Sequence, residues 1–335
     1  MGAFTNIQWC DSTCNCVMGC SGCELYPSKI AGGPCYAGCD HERKAMINTG
    51  FAPDFLLPTL FPGRMSKAAR LSPLDGEKRL EKPWLDGLPR LVFVSDMGDA
   101  LSDRPFSDKS AAGRHVLASD VVVIERKKGK NGRLYPSKRE ARPGAIRTGG
   151  VPFAFLKEEI IDVAQTPEGR RHHWLWLTKL PGRMAEFSRW LQTEHGLAWP
   201  TNVWAGTSVT SSKTLFRAKE LLGVGDEKTL RFLSAEPLWD EVDLSGLLAR
   251  EKIRWVIAGG ESKQSGGCHH HRVRLEWLRH LRDQCAANGV PFFLKQLGFQ
   301  PEAAGATVPL KLDMWHGGNW AEWPVDLQLR EMPKP

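Results

Sequence analysis

Short runs of β-branched, aromatic and aliphatic residues recur along the chain at 6–9, 91–94, 173–177, 202–205, 230–233, 255–258 and 291–294, and predict seven strands. Between them the apolar positions shift to a helical period. The clearest predicted helices span 158–164, 181–193, 214–222 and 275–287. In the last, Leu275, Leu278, Leu281 and Cys285 fall on one face as core positions, and Gly289 supplies a stop. Strands that alternate with helices pair in parallel through right-handed crossovers. The expected fold class is therefore α/β, a full or partial (β/α) TIM-type barrel. An open doubly wound sheet is the alternative that periodicity does not separate from it. Two loop-rich insertions, at about 53–89 and 101–150, break the rhythm. The expected organisation is one barrel domain over 1–300, with a C-terminal tail over 301–335.

In a parallel barrel, chemistry gathers at the C-terminal ends of the strands. Here the residues after the apolar runs are polar: Ser95, Asp96 and Asp99, then Thr178 and Lys179, then Ser208. Ser234 and Glu236 follow the next run, Gly259, Gly260, Glu261 and Ser262 the next, and Lys295 and Gln296 the last. Any one of these is an ordinary helix cap or solvated loop residue. A ring of them describes a polar pocket.

The chain has 335 residues, 41% hydrophobic and 25% charged, a balance that fits a globular fold and excludes a disordered one. No apolar run approaches the roughly 18 to 20 residues that cross a bilayer, and the opening MGAFTNIQWC lacks a basic region followed by an apolar core. Asn6 stands where a myristoylation motif needs Ser or Thr. A cytoplasmic protein with no membrane partner is expected. The net charge of +7 is modest, but nine Lys or Arg lie between Arg126 and Arg147 against the single acid Glu140. Gly129, Gly132, Pro136, Pro143 and Gly144 should interrupt any helix or strand there. The stretch reads as a mobile basic loop that either neutralises nucleic-acid phosphates or merely solubilises an insertion.

Seven of the nine cysteines, at 10, 14, 16, 20, 23, 35 and 39, crowd the first 39 residues. In a large chain without a signal peptide this points to metal rather than to disulfides. Cys16, Cys20 and Cys23 have the Cys-x3-Cys-x2-Cys spacing with which radical-SAM enzymes present three thiolates to a [4Fe-4S] cluster, although Gly22 replaces the usual aromatic residue. Cys20, Cys23, Cys35 and Cys39 have a spacing that also suits a closed structural zinc. Cys268 and His269 to His271 form a further small cluster, read as an exposed loop after Gly266 and Gly267.

The segments IQWCDSTCNCVMGCSGCELY, PCYAG, VFVSDMGD, WLTKLPGRM, NVWAGTSV, RFLSAEPL, WVIAGGES and LRDQCAANGVPFFLKQLG occur in order over nearly the whole chain. Together they resemble the phage-associated three-cysteine-motif family, which is related to spore photoproduct lyase and other radical-SAM enzymes. The resemblance implies metal ligands at Cys20, Cys23 and Cys35. Cys14 and Cys16 occupy the family's usual tryptophan and proline positions, so both registers stay open, and the second is adopted here. The resemblance also implies that the segments around Ser95 and Gly259 belong to the pocket. Expected cofactor-binding residues are Ser95, Asp96, Ser208, Glu236, Gly259, Gly260 and Glu261, and the catalytic candidates are Asp96, Lys179, Glu236 and Lys295.

The resulting expectation is a radical-SAM [4Fe-4S] enzyme, of isomerase, lyase or base-modifying class, that uses S-adenosyl-L-methionine. It would rearrange or modify a nucleobase in phage DNA or a nucleotide, with an electron donor such as flavodoxin or ferredoxin as partner. The alternative expectation is a zinc-stabilised, non-catalytic nucleic-acid-binding protein. A SAM-binding regulator or partner subunit is a third class.

Overall fold

The computed structural model describes residues 4–20, 23–25, 35–44, 55, 58–102, 124–128, 134–139, 146–147, 150–249, 252–262, 271–303, 310–313 and 316–334. Fourteen strands are assigned among them. The first half of the chain holds β1 (Ser12–Cys14), β2 (Val17–Met18), β3 (Thr59–Leu60), β4 (Arg90–Val94), β5 (Ile124–Lys128), β6 (Leu134–Arg139) and β7 (Ile146–Arg147). The second half holds β8 (His172–Thr178), β9 (Val203–Ser208), β10 (Arg231–Ala235), β11 (Trp255–Gly259), β12 (Val273–Arg274), β13 (Phe292–Gln296) and β14 (Pro301–Glu302). The helices are α1 (Tyr36–Lys44), α2 (Arg64–Ala69), α3 (Phe153–Leu156), α4 (Pro181–His195), α5 (Phe216–Leu221), α6 (Ser245–Leu248) and α7 (Leu275–Ala287).

The main sheet has seven strands in the order β1-β4-β8-β9-β10-β11-β13, every pair parallel. The order never reverses, so the sheet is singly wound and the doubly wound alternative is excluded. It is a curled half-barrel, and among the described residues β1 and β13 are not joined by hydrogen bonds.

Alternation along the strands explains the curl. Val92, Val94, Trp174, Trp176, Leu233, Val256 and Leu294 face outward and pack in one cluster with Met184, Phe187 and Leu191 of α4 and Leu278 and Leu281 of α7. Their neighbours Phe93, Leu175, Trp204, Phe232, Trp255 and Phe293 form a second cluster on the concave face, which contains no residue of α1 to α7. On that face Gly206 stands between larger residues because a Cβ there would lie 2.2 Å from the Phe232 ring.

The concave face is plugged by Trp9, whose ring centre lies 4.6 Å from that of Phe93, 6.5 Å from that of Phe232 and 6.4 Å from that of Trp255. The apolar residues of the 6–9 segment, Ile7 and Trp9, therefore pack against the concave face rather than forming the first strand of the sheet. That strand is Ser12–Cys14, three buried residues of low hydropathy paired with Val92, Phe93 and Val94.

The 53–89 stretch, expected as a loop-rich insertion, is bound to the barrel by its charges. Lys82 Nζ donates to the carbonyls of Thr5, Ile7 and Cys10, each at 2.7 Å. Arg79 pairs with buried Asp11 at 3.0 Å and also donates to the carbonyls of Leu85, Leu88 and Pro89. Trp84 stacks on Trp320 with 7° between planes, and Arg330 lies 4.2 Å from the Trp84 ring, which joins this stretch to the tail. The tail in turn runs along β13, with Leu294 N–H bonded to Leu329 O and Glu331 N–H to Phe292 O.

The basic stretch is also not a plain loop. β5 and β6 pair antiparallel with a bulge at Glu125 and Arg126, so Pro136 does not prevent strand formation there. The turn residues 129–133 lie outside the described residues. β7 adds to β3, which pairs with β2, so the basic stretch ends in the small sheet whose first strand leads directly to Gly19 and Cys20.

Candidate functional site

A cavity of about 850 Å³ opens at the C-terminal ends of the parallel strands. Its size is in the range of small-molecule and cofactor sites. Of the expected residues, Cys20, Cys23, Cys35, Ser95, Asp96, Lys179, Ser208, Glu236, Gly260, Glu261 and Lys295 all line it. Gly259 does not. Cys14 and Cys16 do not either: both are fully buried in the outer cluster, and burial pushes the Cys14 thiol up to about 12 and the Cys16 thiol well above its ordinary range. Of the two registers read from the sequence, only Cys20, Cys23 and Cys35 share a cavity. Among the described residues no three His, Cys, Asp or Glu side chains are gathered closely enough to hold a metal ion. The Cys39 side chain lies outside the described residues, as do Cys268, His269 and His270.

Each cavity cysteine is held by a different anchor. Gly19 forms a parallel bridge with Gly98, and Cys20 N–H donates to Phe55 O at 2.6 Å. Cys35 opens α1, where its Sγ accepts from Gly38 N–H at 3.4 Å, and the neighbouring Tyr36 hydroxyl donates to the Asp96 carbonyl. Cys23 is followed by Glu24, which Arg217 of α5 grips at 2.7 Å through both oxygens. Burial raises the Cys23 thiol, and the nearby Lys179 ammonium opposes that rise.

The strand ends divide into knots and open positions. Asp99 accepts Thr178 Oγ1 at 2.8 Å, Lys179 N–H at 2.9 Å and Leu101 N–H at 3.0 Å, so it ties the end of β4 to the end of β8. Asp96 accepts from the Asn15 amide, while Asn15 Oδ1 takes Met97 N–H at 2.9 Å. Burial raises both carboxyls above the ordinary aspartate range. Ser95 is the one described non-glycine residue with positive φ, at 65°. Its N–H continues the ladder to Cys14 O at 2.8 Å, while its buried hydroxyl meets no protein partner. A strained residue with an unsatisfied donor on a cavity wall is the pattern expected where a ligand completes the bonding.

On the far wall Lys295 and Glu236 pair at 2.9 Å, and both remain partly exposed to the cavity. Glu261 accepts from Trp239 Nε1 at 3.1 Å and faces His271 Nδ1 at 3.1 Å, with His271 stacked on Trp239. Of the sequence cluster at 268–271, His271 thus belongs to this network. Gln296 donates to Gly260 O and Ser262 Oγ, fixing the turn after β11.

Sequence reasoning missed the 5–9 segment, Tyr36, Asp40 and His316, which also line the cavity, and the Glu24–Arg217 pair beside it. Only Tyr36 carried a signal, through its adjacency to Cys35.

No curated protein and no solved structure matches the chain. Residues 147–324 match the family described as "Protein of unknown function (DUF5131)"; the match runs from the end of β7 past the 3-10 turn at Trp320–Glu322 and lies C-terminal to the seven clustered cysteines at 10–39. Since that match covers more than half of the 335 residues, the chain belongs to the DUF5131 family.

Proposed function

We propose that the protein is a radical-SAM enzyme that holds a [4Fe-4S] cluster through Cys20, Cys23 and Cys35 and modifies or rearranges a nucleobase in DNA or a nucleotide. The observation that carries this reading is that three partly exposed cysteines line one cavity together with the polar strand ends. The donor set fits in kind: three thiols, with no fourth among the described side chains of the cavity, leave one iron of a cubane open, whereas structural zinc takes four ligands. When bound, such a cluster supplies one-electron reductive cleavage of SAM, with the electron delivered by a donor such as flavodoxin or ferredoxin.

This chain's own residues would bind and orient. Ser95 Oγ is a free donor for a cofactor oxygen, Glu236 and Glu261 suit hydroxyl or ammonium groups, and the Trp9 and Phe93 rings at the base of the cavity suit a planar base. Lys179 and Lys295 bring positive charge to anionic groups. The basic hairpin β5–β6, rooted through β7 in the sheet that leads to Cys20, supports a nucleic-acid substrate. The test is a SAM-cleavage assay after anaerobic reconstitution and reduction: 5′-deoxyadenosine and methionine above a cluster-free control are expected. Tight zinc, no sulfide and no cleavage with DNA present would favour the zinc-stabilised binding protein.

A further inference from the structure

We infer that Glu24 and Arg217 form a positioning latch that fastens residues 23–25 beside the end of β9 and sets where Cys23 stands. The inference rests on the reading of Cys23 as a cluster ligand only for its consequence, since the latch itself is visible in the pair. The loop departs from β2 on the β1 side of the sheet, where Gly19 is bridged to Gly98. Four residues after Cys20, Glu24 stands beside the end of β9 and α5, three strands along the sheet from β1. There both its oxygens accept from Arg217, Nη1 to Oε1 and Nη2 to Oε2, each at 2.7 Å. Thr210 Oγ1 adds a contact to Oε1 at 3.4 Å, and Arg217 Nη1 also reaches the Ser208 carbonyl at 3.4 Å, at the end of β9.

Residues 23–25 carry no helix or strand of their own. An extended chain covers at most about 3.3–3.6 Å per residue, so pinning residue 24 confines Cys23 to within one residue's reach of Arg217. The pair is placed for direction rather than bulk stability. Its guanidinium side chain is 9% exposed and its carboxylate 26%, so the charges meet where water is largely excluded and the two-pronged geometry is strongly preferred. Arg217 lies on the six-residue helix α5, which packs on β9 and α4, so the fixed end of the latch belongs to the rigid barrel. The Glu24 carboxyl lies below its ordinary range even though burial works against ionisation, because the hydrogen bonds and charge of Arg217 outweigh that cost.

The test uses the full chain, first without metal. Glu24→Gln, Arg217→Lys and the exchanged pair Glu24→Arg with Arg217→Glu are compared with the wild type by hydrogen exchange at Cys23, Glu24 and Leu25. Exchange in the single variants is expected to accelerate at least about tenfold, because Glu24→Gln leaves the guanidinium uncompensated and Arg217→Lys cannot make both bonds at once, and the exchanged pair recovers part of that protection. Amides of β9 and β10 keep wild-type rates. After anaerobic reconstitution, iron and sulfide content should fall in the single variants and partly return in the exchanged pair. Unchanged exchange at residues 23–25 overturns the latch. Faster exchange that spreads equally into β9 and β10 also overturns it, since the pair would then only stabilise the barrel. If the local exchange behaves as expected but the wild-type chain takes up no iron, the latch stands and the iron–sulfur reading falls.

Discussion

Replacing Gly98 with alanine should loosen the attachment of the first cavity cysteine in a way the geometry makes quantitative. A Cβ at Gly98 would lie 2.3 Å from Gly19 O and 2.8 Å from Gly19 N, backbone atoms that no side-chain rotation can remove. Restoring ordinary contact at 3.4 Å requires a separation of about 1.1 Å (3.4 − 2.3) between the end of β4 and the residue preceding Cys20. That shift breaks the Gly19 N–H bond to Met97 O at 3.3 Å and the Asp99 N–H bond to Gly19 O at 3.2 Å. Two such bonds contribute about 1 kcal/mol each, and the reduced freedom of the unfolded chain returns about 0.4–1 kcal/mol. A net destabilisation of about 1–1.6 kcal/mol is expected by chemical denaturation, together with lower iron uptake. Gly246→Ala in α6, where a Cβ meets open space, is the control and should be neutral or stabilising by up to about 1 kcal/mol. A Gly98→Ala chain as stable as the wild type and with full iron uptake would refute the reasoning.

Acid should destabilise the fold partly through His173, whose pKa burial lowers from 6.5 to about 4. The unfolded chain takes up a proton there between pH 6.5 and 4 that the folded chain refuses, so this contribution is full above pH 6.5 and is lost as pH falls to 4. It amounts to up to about 3 kcal/mol, and His173→Phe, which keeps the ring packed on Trp204, should flatten the pH dependence of unfolding in that window. For the basic hairpin, changing Arg126, Lys127, Lys128 and Lys130 to Gln should reduce the slope of log affinity against log salt for DNA by roughly two to four units; an unchanged slope would make the stretch a solvated insertion.

The six later strands were legible because parallel strands covered on both faces read as apolar runs, as Arg90–Val94 and Trp255–Gly259 do. Ser12–Cys14 was not, since its burial comes from position in the sheet and not from hydropathy, while the more apolar 6–9 segment drew the assignment away. The polar ring of the site was readable from strand ends. Its division into knots such as Asp99 and open positions such as Ser95 was not, because that depends on contacts between residues some 80 positions apart. Likewise the choice between Cys16 and Cys35 turns on which thiol is buried in the outer cluster and which opens on the cavity, and spacing carries no information about that. Arg217 was invisible for a similar reason: on a short amphipathic helix, nothing distinguishes a latch residue from a solvated arginine.

The central claim is that Cys20, Cys23 and Cys35 hold an iron–sulfur cluster. Iron, zinc and acid-labile sulfide measured after anaerobic reconstitution of the wild type and of the Cys16→Ala, Cys20→Ala, Cys23→Ala and Cys35→Ala variants test it most directly. The account predicts about four iron and four sulfide per wild-type chain, retained in Cys16→Ala and lost in the other three. About one zinc and no sulfide in the wild type, or loss in Cys16→Ala with retention in Cys35→Ala, would contradict it.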